Sequence, residues 1–561
     1  MRTMTSFLTI VRRCLSWTDN ILRHRVITYG IIAVIAFYGV ALRTVGLGRS
    51  LWIDEAWEAN AIIAPSISTM FYHSSWLPTC LPPFLLLVRG AVGMFGLTSP
   101  VLRTVPCLMG LLACVSMVAL AVRLLSRRYA LLASALFVLC PVATEFSRTL
   151  KQYTSELAAT TTILLCAIVY LERATPRRFW LLAGAVIIGL LIAYPVVFLL
   201  PGIVLVVFVS PVCSDSSVFG SNRPFFGSYA RAIILTTLTG GILIGEYLLF
   251  ILPNLSSSAQ FRKTWAAHNG TSGVVSVFAL HSYGLLRYLP IPHRIMQRTE
   301  LVGVAVGALL VAGFALAWLR FRKGRRIWLE VQVISLVPCL LLLITDWLGQ
   351  YPMVARTGLF LLPFVVVLLA CSLQLTSEFL VDKVRRGWLK PLLNVALVCV
   401  TLLVVRDGIK SNSFERVRTP YEDIAGAVSF LRENVQSSDI LWVNSSASEG
   451  FKFYARMTGW NNAPVRFGDT GWACCARGVP EIKTIGSENA VRTDLSGGIP
   501  GDFSGKVWLL YTERFEHWQI LGLYEPQTMK TFLGERGCSE TSTPLFKNMG
   551  VSSFDCRKSD Q

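Results

Sequence analysis

Long apolar segments recur along most of this 561-residue chain, and they limit its fold more than any other feature. Segments such as 301–319, 357–376 and 391–405 are apolar at about the length that a helix needs to cross roughly 30 Å of hydrocarbon. Hydrophobic residues make up 53% of the chain, and the mean hydropathy is +0.55. The sequence therefore predicts a polytopic α-helical membrane protein.

We predict eleven membrane-spanning helices, and the basic residues between them support this count. The spans are 28–46, 103–124, 129–145, 154–171, 179–194, 196–211, 232–252, 300–319, 327–347, 357–376 and 390–406. The N-terminus then shares one side with the basic turns near Arg127, Arg178, Arg231, Arg320 and Lys390. The positive-inside rule makes that side cytoplasmic.

The opposite, extracytoplasmic side receives the first outer loop (47–102), the second (146–153) and the tail, together with residues 253–299 and 348–356. Residues 82–96 are apolar but short and include Arg89. A crossing there would invert every later basic loop. We therefore expect an interfacial helix in the first outer loop.

The net charge of +19 belongs to the membrane part of the chain. Residues 409–561 hold 17 Lys and Arg against 18 Asp and Glu, so the first 408 residues carry the whole excess. The basic residues cluster in short loops, which is typical of a topology signal. Nucleic acid is therefore not an expected partner, whereas the lipid bilayer is.

Two domains are predicted, a transmembrane domain over 1–408 and an extracytoplasmic, soluble α/β domain over 409–561. Helical spacing covers Tyr421–Glu433, and buried strands are predicted at Asp439–Val443 and Lys506–Tyr511. Among the 14 cysteines, Cys538 and Cys556 lie in the tail. They can form a disulfide if the tail faces an oxidising compartment, and the sequence leaves their state open.

Two adjacent carboxylates, Asp54 and Glu55, follow the first span in the run Trp52-Ile-Asp-Glu-Ala56. An acceptor hydroxyl is a weak nucleophile, and a carboxylate within hydrogen-bond reach can take its proton. One such base suffices for inversion at a sugar's anomeric carbon when the leaving group is a phosphate. The alternative is an interfacial acidic pair that only caps the following helix.

Three cations share the predicted outer side with this pair. Arg148 and Lys151 lie in the second outer loop, and Arg356 precedes the tenth span. A leaving phosphate or pyrophosphate requires fixed positive charge, and the fork of an arginine matches its oxygens. We predict that all three bind donor phosphate. The alternative is contact with lipid headgroups.

Further residues are candidates for substrate binding. Arg103 opens a span and either pairs with an outer carboxylate or anchors a helix end. Glu246 lies inside the seventh span, where an ionisable residue is a functional candidate. The remaining candidates are Tyr153, Arg262 and Lys263. The histidines His73, His268, His281 and His293 do not have the spacing of a metal site. No cofactor is identified, and the sequence leaves dependence on a divalent metal ion open without supporting it.

In their order along the chain, these features resemble the GT-C superfamily of integral membrane glycosyltransferases. The resemblance is to the branch that holds protein O-mannosyltransferases, aminoarabinose transferases acting on lipid A, and transferases of lipopolysaccharide cores. It rests on Asp54-Glu55, on Pro82-Pro83 with Phe95-Gly96 and Arg103, on Ser147 to Tyr153, on Arg356, and on the tail segment Tyr421 to Leu431.

The resemblance implies a polyprenyl-phosphate-linked sugar donor, such as an undecaprenyl-phosphate sugar, and an inverting transfer on the extracytoplasmic face. The acceptor would be an envelope glycan, a lipid or a protein, and the membrane a bacterial inner or plasma membrane. By carry-over, Asp54 is the base. Glu55 orients it or binds the acceptor, and Arg148 and Arg356 hold the donor phosphate.

Two departures from the motifs of this family argue against protein O-mannosylation and against a metal site. Eukaryotic protein mannosyltransferases carry a His-Pro-Pro-Leu-Gly-Lys run, and this chain has Cys80-Leu-Pro-Pro-Phe-Leu85 instead. The second outer loop region has Arg148, Lys151 and Glu156 but no Asp, so a two-carboxylate metal site is not supported.

Two other classes of function stay open on the sequence. A transporter or flippase for a lipid-linked sugar needs polar residues or broken helices near the middle of the membrane. Apart from Glu246 and the Pro195 region, the spans are poor in them. A membrane sensor or scaffold would use the tail to bind partners. The outer acids and arginines would then have no shared task.

Overall fold

The structure is a computed structural model that describes residues 25–72, 80–212, 223–254, 299–324, 326–348, 350–351, 356–384, 389–413, 420–460, 462–468, 488–512, 525–541 and 544–557. The helices up to residue 254 are α1 (Arg25–Thr44), α2 (Ile53–Ile62), α3 (Ile67–Tyr72), α4 (Pro82–Phe95), α5 (Ser99–Leu102), α6 (Thr104–Leu124), α7 (Arg127–Val138), α8 (Pro141–Phe146), α9 (Tyr153–Glu172), α10 (Pro176–Ile192), α11 (Leu200–Val212) and α12 (Arg223–Glu246). Short 3-10 or π turns cover Tyr194–Leu199, Tyr247–Ile251 and Leu252–Asn254.

The rest of the chain adds helices and all the strands. The helices are α13 (Thr299–Phe321), α14 (Ile327–Trp347), α15 (Leu362–Val384), α16 (Leu389–Ser411), α17 (Ile424–Asn434), α18 (Ser445–Met457), α19 (Glu488–Gly498) and α20 (Glu525–Glu535). A 3-10 turn, Leu359–Leu361, leads into α15. The strands are β1 (Ile440–Val443), β2 (Val465–Phe467), β3 (Lys506–Thr512), β4 (Ser539–Thr541) and β5 (Met549–Asp555).

The chain divides into two compact units, each assembled from separate stretches of sequence. We call residues 1–45, 105–249 and 265–417 the helical unit, and residues 46–104, 250–264 and 418–561 the mixed unit. The first loop, 46–104, thus folds with the C-terminal region and not with the helices that flank it in sequence. This differs from the division expected at 408, because residues of the loop hydrogen-bond to helices of the C-terminal region.

The polytopic helical fold is confirmed. Among the described residues, eight helical stretches are long and apolar enough to cross a membrane. The count of eleven stays a prediction, because three predicted spans fall on shorter helices of 12, 17 and 13 residues, α7, α10 and α11. Prolines lie at the boundaries. Pro141 opens α8 directly after α7, and Pro195 lies in the 3-10 turn between α10 and α11.

The helical unit is organised around the short helix α7. Its residues from Ala130 to Val138 are all buried, and it packs against α1, α15 and α16. The α1 helix approaches α7 closely at Gly39, where a Cβ atom would lie 2.2 Å from the Val138 side chain. The buried Arg43 donates from Nη1 to the carbonyls of Val138 and Gly39, at 2.9 and 3.0 Å. This contact satisfies a carbonyl at the end of α7 that the helix itself cannot pair.

The C-terminal part of the mixed unit is a five-stranded sheet of order β2-β1-β3-β5-β4 covered by helices. The first three strands are parallel, and β5 and β4 are antiparallel to their neighbours. The predicted helix near 421–433 and the strands near 439–443 and 506–511 are confirmed as α17, β1 and β3. Cys538 and Cys556 form a disulfide beside the β4–β5 pair.

The first loop contains the predicted apolar helix, α4. One side of α4 is buried through Phe84, Leu85 and Val88, while Leu86 and Phe95 are exposed. Arg89 donates from Nη1 to the carbonyls of Ile62 and Ala64, at 3.1 and 2.7 Å. Arg89, whose charge argued against a membrane span in this segment, therefore binds the carbonyl groups at the C-terminal end of α2.

Candidate active site

Asp54 and Glu55 lie in the first turn of α2, the short helix that follows the first span. Acidic side chains are favourable there because the N-terminal end of a helix carries partial positive charge. Neighbouring residues project about 100° apart around a helix, so the two carboxylates have different surroundings. Glu55 is fully buried, and Asp54 is only half-buried. Of the two, Asp54 is the carboxylate that solvent or substrate can reach.

Glu55 is held by Arg103 in a two-point contact. Arg103 Nε donates to Glu55 Oε1 at 2.7 Å, and Arg103 Nη2 donates to Oε2 at 2.6 Å. Both side chains have no exposed surface. The Trp52 N–H also donates to Glu55 Oε2, at 3.4 Å, which helps to close the N-terminus of α2. Two-point arginine–carboxylate pairs fix geometry as well as charge.

The remaining donors of Arg103 go to the backbone of the loop before α2. Nη1 donates to the carbonyls of Leu47 and Arg49, at 2.7 and 2.6 Å, and Nη2 donates to Ser50 at 3.1 Å. All five N–H donors of the guanidinium are thus used within the protein. Arg103 therefore pairs with a carboxylate and anchors the loop at once. The sequence had offered a carboxylate partner and a helix-end anchor as alternatives for Arg103.

Sequence reasoning missed a third acid on α2, Glu58. It lies four residues after Asp54, on the same side of the helix, and is 3% exposed. If this segment is helical, the four-residue spacing alone places Glu58 on the same side as Asp54. Asn60, further along α2, is also buried and donates to Glu449 of the C-terminal region.

In the helical unit, Arg148 and Lys151 lie between α8 and α9 and are both buried. Arg148 Nη2 donates to Glu145 Oε2 at 2.8 Å, and Nε donates to the Thr144 carbonyl at 3.3 Å. The start of this segment is fixed by Gly110 of α6, where a Cβ atom would lie 2.1 Å from Ser147 Oγ. The close approach of α6 to Ser147 therefore helps to set the position of Arg148.

Tyr153 opens α9 and is buried against Phe146, with ring centroids 4.8 Å apart. Arg356 is half-buried, in the turn before the 3-10 segment Leu359–Leu361. That segment is tied to α9, because Thr160 Oγ1 donates to the Phe360 carbonyl at 3.2 Å. The helix that follows Arg148 thus also supports the turn that carries Arg356.

The turn near Arg356 includes Tyr351, which sequence reasoning passed over. Its hydroxyl donates to the Thr357 carbonyl at 3.5 Å, and its ring lies 5.5 Å from that of Phe198. Burial raises the pKa of the Tyr351 hydroxyl well above its ordinary value, and the nearby Glu156 carboxylate adds to the effect. Tyr351 therefore stays a neutral donor at all working pH values.

Two acids of the helical unit are buried inside apolar helices. Glu156, in the first turn of α9, is 2% exposed, and its Oε2 has no hydrogen-bond partner among the described residues. Glu246, at the end of α12, is 7% exposed, and within the same ranges its Oε1 has none either. Buried acids of this kind are uncommon in membrane helices, which keeps Glu246 a candidate and adds Glu156.

Several predicted residues are outside the described part of the chain. Arg262 and Lys263 lie there, as do His73, His268, His281 and His293. Within the described part, no three His, Cys, Asp or Glu side chains lie together in a way that could hold a metal ion.

Residues 81–240 match the family model described as dolichyl-phosphate-mannose-protein mannosyltransferase. This region includes α4, Arg103 and the segment from Ser147 to Tyr153. The match confirms the resemblance that the sequence motifs indicated. No curated protein matches the chain.

Two solved structures from Cupriavidus metallidurans are similar over most of their length. ArnT in the apo state has 12% identity and a TM-score of 0.47, covering 94% of this chain and 97% of its own. ArnT bound to undecaprenyl phosphate has 13% identity and a TM-score of 0.45, covering 94% and 98%. Similarities at this level carry no functional statement about this chain.

Proposed function

We propose that this chain, a member of the GT-C superfamily of integral membrane glycosyltransferases, transfers a sugar from a polyprenyl-phosphate-linked donor with inversion at the anomeric carbon. The acceptor class is an envelope glycan, lipid or protein on the extracytoplasmic face. The description of the family matched by residues 81–240 names a dolichyl phosphate, which is a polyprenyl phosphate, and this supports the donor class.

Asp54 is the general base of the proposed reaction. Its carboxylate takes the proton of the acceptor hydroxyl as the hydroxyl oxygen attacks the anomeric carbon. The bond from that carbon to the phosphate oxygen breaks, and its electron pair leaves with the polyprenyl phosphate. One displacement gives one inversion, so no second carboxylate is required as a nucleophile.

Arg148, Lys151 and Arg356 bind the donor phosphate in this proposal. Charge builds up on the phosphate oxygens as the sugar leaves, and fixed cations stabilise that charge best where water is scarce. Arg148 and Lys151 are buried on a segment that backbone packing holds in place. Arg356 is in a turn that α9 supports through the neighbouring Leu359–Leu361 segment.

The observation that carries the proposal is the division of labour between Asp54 and Glu55. Arg103 occupies both oxygens of the buried Glu55, whereas Asp54 is half-buried in the same helical turn. Asp54 is thus the carboxylate of the pair that an acceptor hydroxyl can approach. Glu55 is therefore assigned to holding the helix, and the acceptor-binding role inferred for it from the resemblance is not proposed further.

The test is the substitution Asp54→Asn in the full chain, reconstituted in vesicles with a panel of polyprenyl-phosphate sugars. Loss of a general base lowers turnover by roughly 10²–10⁴-fold. Release of polyprenyl phosphate is measured, and the unfolding temperature of the variant serves as the control. Wild-type turnover by a folded Asp54→Asn variant would remove the central claim.

The same vesicles separate this proposal from a lipid-linked sugar transporter. A transporter moves the donor across the bilayer and leaves it covalently unchanged. Translocation of labelled donor with no polyprenyl phosphate released, in the wild-type protein, would favour transport.

A further inference from the structure

Backbone N–H groups at and just before the start of α2, the helix that carries Asp54, donate to side chains of the C-terminal region. The Ile53 N–H, at the start of α2, donates to Glu422 Oε2 at 3.0 Å. The Leu51 N–H donates to the Tyr454 hydroxyl at 2.7 Å. Glu422 and Tyr454 are 4% and 6% exposed. The first N–H groups of a helix have no partner inside it, so Glu422 completes the N-terminus of α2. Tyr454 holds Leu51, the residue just before the N-cap Trp52.

The contact is reciprocal. The Ala425 N–H, in the first turn of α17, donates to Ser50 Oγ at 3.1 Å. Each segment thus supplies a side-chain oxygen to the helix start of the other, α2 or α17. Asp423 accepts from the Gly426 N–H at 3.1 Å and caps α17 from its own side. Neither helix start is complete without the other segment.

The C-terminal region also holds the far part of α2. Asn60 Nδ2 donates to the Glu449 carbonyl at 3.0 Å and to Glu449 Oε2 at 2.8 Å. At the near end, the rings of Trp52 and Tyr421 lie 5.3 Å apart. The ten-residue helix is therefore fixed at both ends by residues from beyond the last span.

We propose that Glu422 and Tyr454 are positioning residues for Asp54, so that the C-terminal region forms part of the catalytic apparatus. This inference rests on the proposed function, in which Asp54 is the base. A carboxylate that accepts from a backbone N–H makes a stronger hydrogen bond than a neutral acceptor does. Glu422 is therefore the main contact, and Tyr454 is the lesser one. Because a base must lie within hydrogen-bond reach of the acceptor hydroxyl, a small shift of α2 is enough to lower turnover.

The test compares Glu422→Ala, Glu422→Gln and Tyr454→Phe in the full chain in vesicles. We expect Glu422→Ala to lower kcat by about 10–100-fold and to leave the KM of the donor within about twofold, since a displacement near 1 Å costs on the order of 10²-fold. Gln keeps an oxygen that can accept from the Ile53 N–H, so Glu422→Gln should recover most of kcat. Tyr454→Phe should lose a few-fold.

Glu433→Ala is the matched control, because Glu433 is an exposed carboxylate on α17, the helix that begins directly after Glu422 and Asp423. It should keep the wild-type kcat. If Glu422→Ala does not fold, Tyr454→Phe with its intact core carries the test. Wild-type kcat in both Glu422→Ala and Tyr454→Phe, or equal losses in Glu422→Ala and Glu422→Gln, would overturn the inference.

A second readout does not depend on activity. Hydrogen exchange of residues 51–57 should speed up in Glu422→Ala and stay slow in Glu422→Gln, while β3 exchanges as in the wild type. If the wild-type protein transfers no sugar but this pattern is found, the proposed function fails and the structural coupling holds. If transfer is found but exchange at 51–57 is unchanged in Glu422→Ala, the positioning role fails.

Discussion

Each unit of this protein contains a short glutamate–arginine contact, and the two contacts differ in what surrounds them. In the mixed unit, Glu55 and Arg103 are 2.6 Å apart, and neither side chain is exposed. In the helical unit, Glu145 and Arg148 are 2.8 Å apart, but the Glu145 side chain is 43% exposed. We call the first pair sealed, because both side chains are buried, and the second half-open, because the Glu145 side chain is partly exposed.

This difference indicates which arginine can serve a substrate. Every donor of Arg103 is taken by the protein, so a phosphate could bind it only by breaking the loop that it holds. Arg148 shares its charge with a carboxylate that is nearly half exposed. Water competes for the exposed part of the Glu145 carboxylate, which weakens its contact with the buried Arg148. An approaching phosphate can therefore displace or join Glu145 at low cost.

The largest expected effect is on folding, from Arg103→Ala. Removal of one partner of a buried ion pair leaves an uncompensated charge and costs about 3–5 kcal/mol. The unfolding temperature of the full chain in detergent measures this loss. Arg103→Lys should rescue little, because lysine cannot form the two-point contact with Glu55. A normal unfolding temperature in Arg103→Ala would show that the sealed pair is not structural.

The second expected effect is also a loss of stability in the mixed unit. The Cys538–Cys556 disulfide closes a loop with a sequence separation of 18, and such a link contributes about 3 kcal/mol in the chain-entropy model. Cys538→Ser, or a reductant, should therefore lower the stability of the mixed unit. Exchange rates of β5 and β3 report on it. Cys371→Ser, at a buried free cysteine of α15, is the control. It keeps the disulfide, so β3 and β5 should exchange as in the wild type and should still respond to reductant.

The smallest expected effect tests the half-open pair. Arg148→Ala should raise the KM of the donor by roughly 10–100-fold, which corresponds to the 1.5–3 kcal/mol of a hydrogen bond to a charged group. Glu145→Gln should change the free energy of unfolding by less than about 1 kcal/mol, because the Glu145 side chain is partly exposed to water, and should leave donor binding intact or tighter. Binding of donor to vesicles measures both. Unchanged donor KM in Arg148→Ala would place the phosphate elsewhere.

The features that the sequence predicted well are local. Apolar length marked the membrane helices, helical spacing marked α17, and the short buried apolar runs marked β1 and β3. The short apolar segment with Arg89 forms the helix α4, as expected. The division of the chain was not local, because residues 46–104 fold with the C-terminal region through contacts that span hundreds of positions. The Leu51–Tyr454 bond, for example, has a sequence separation of 403.

The sequence by itself determined that this is a polytopic membrane protein and that an acidic pair follows its first apolar segment. It also placed the arginines that an anionic substrate would need in short loops. Only the tertiary structure decided that Glu55 is sealed by Arg103 while Asp54 is reachable, and that Glu422 completes the helix of Asp54. Hydropathy is a property of each segment, whereas burial and hydrogen-bond partners depend on which distant segments pack together.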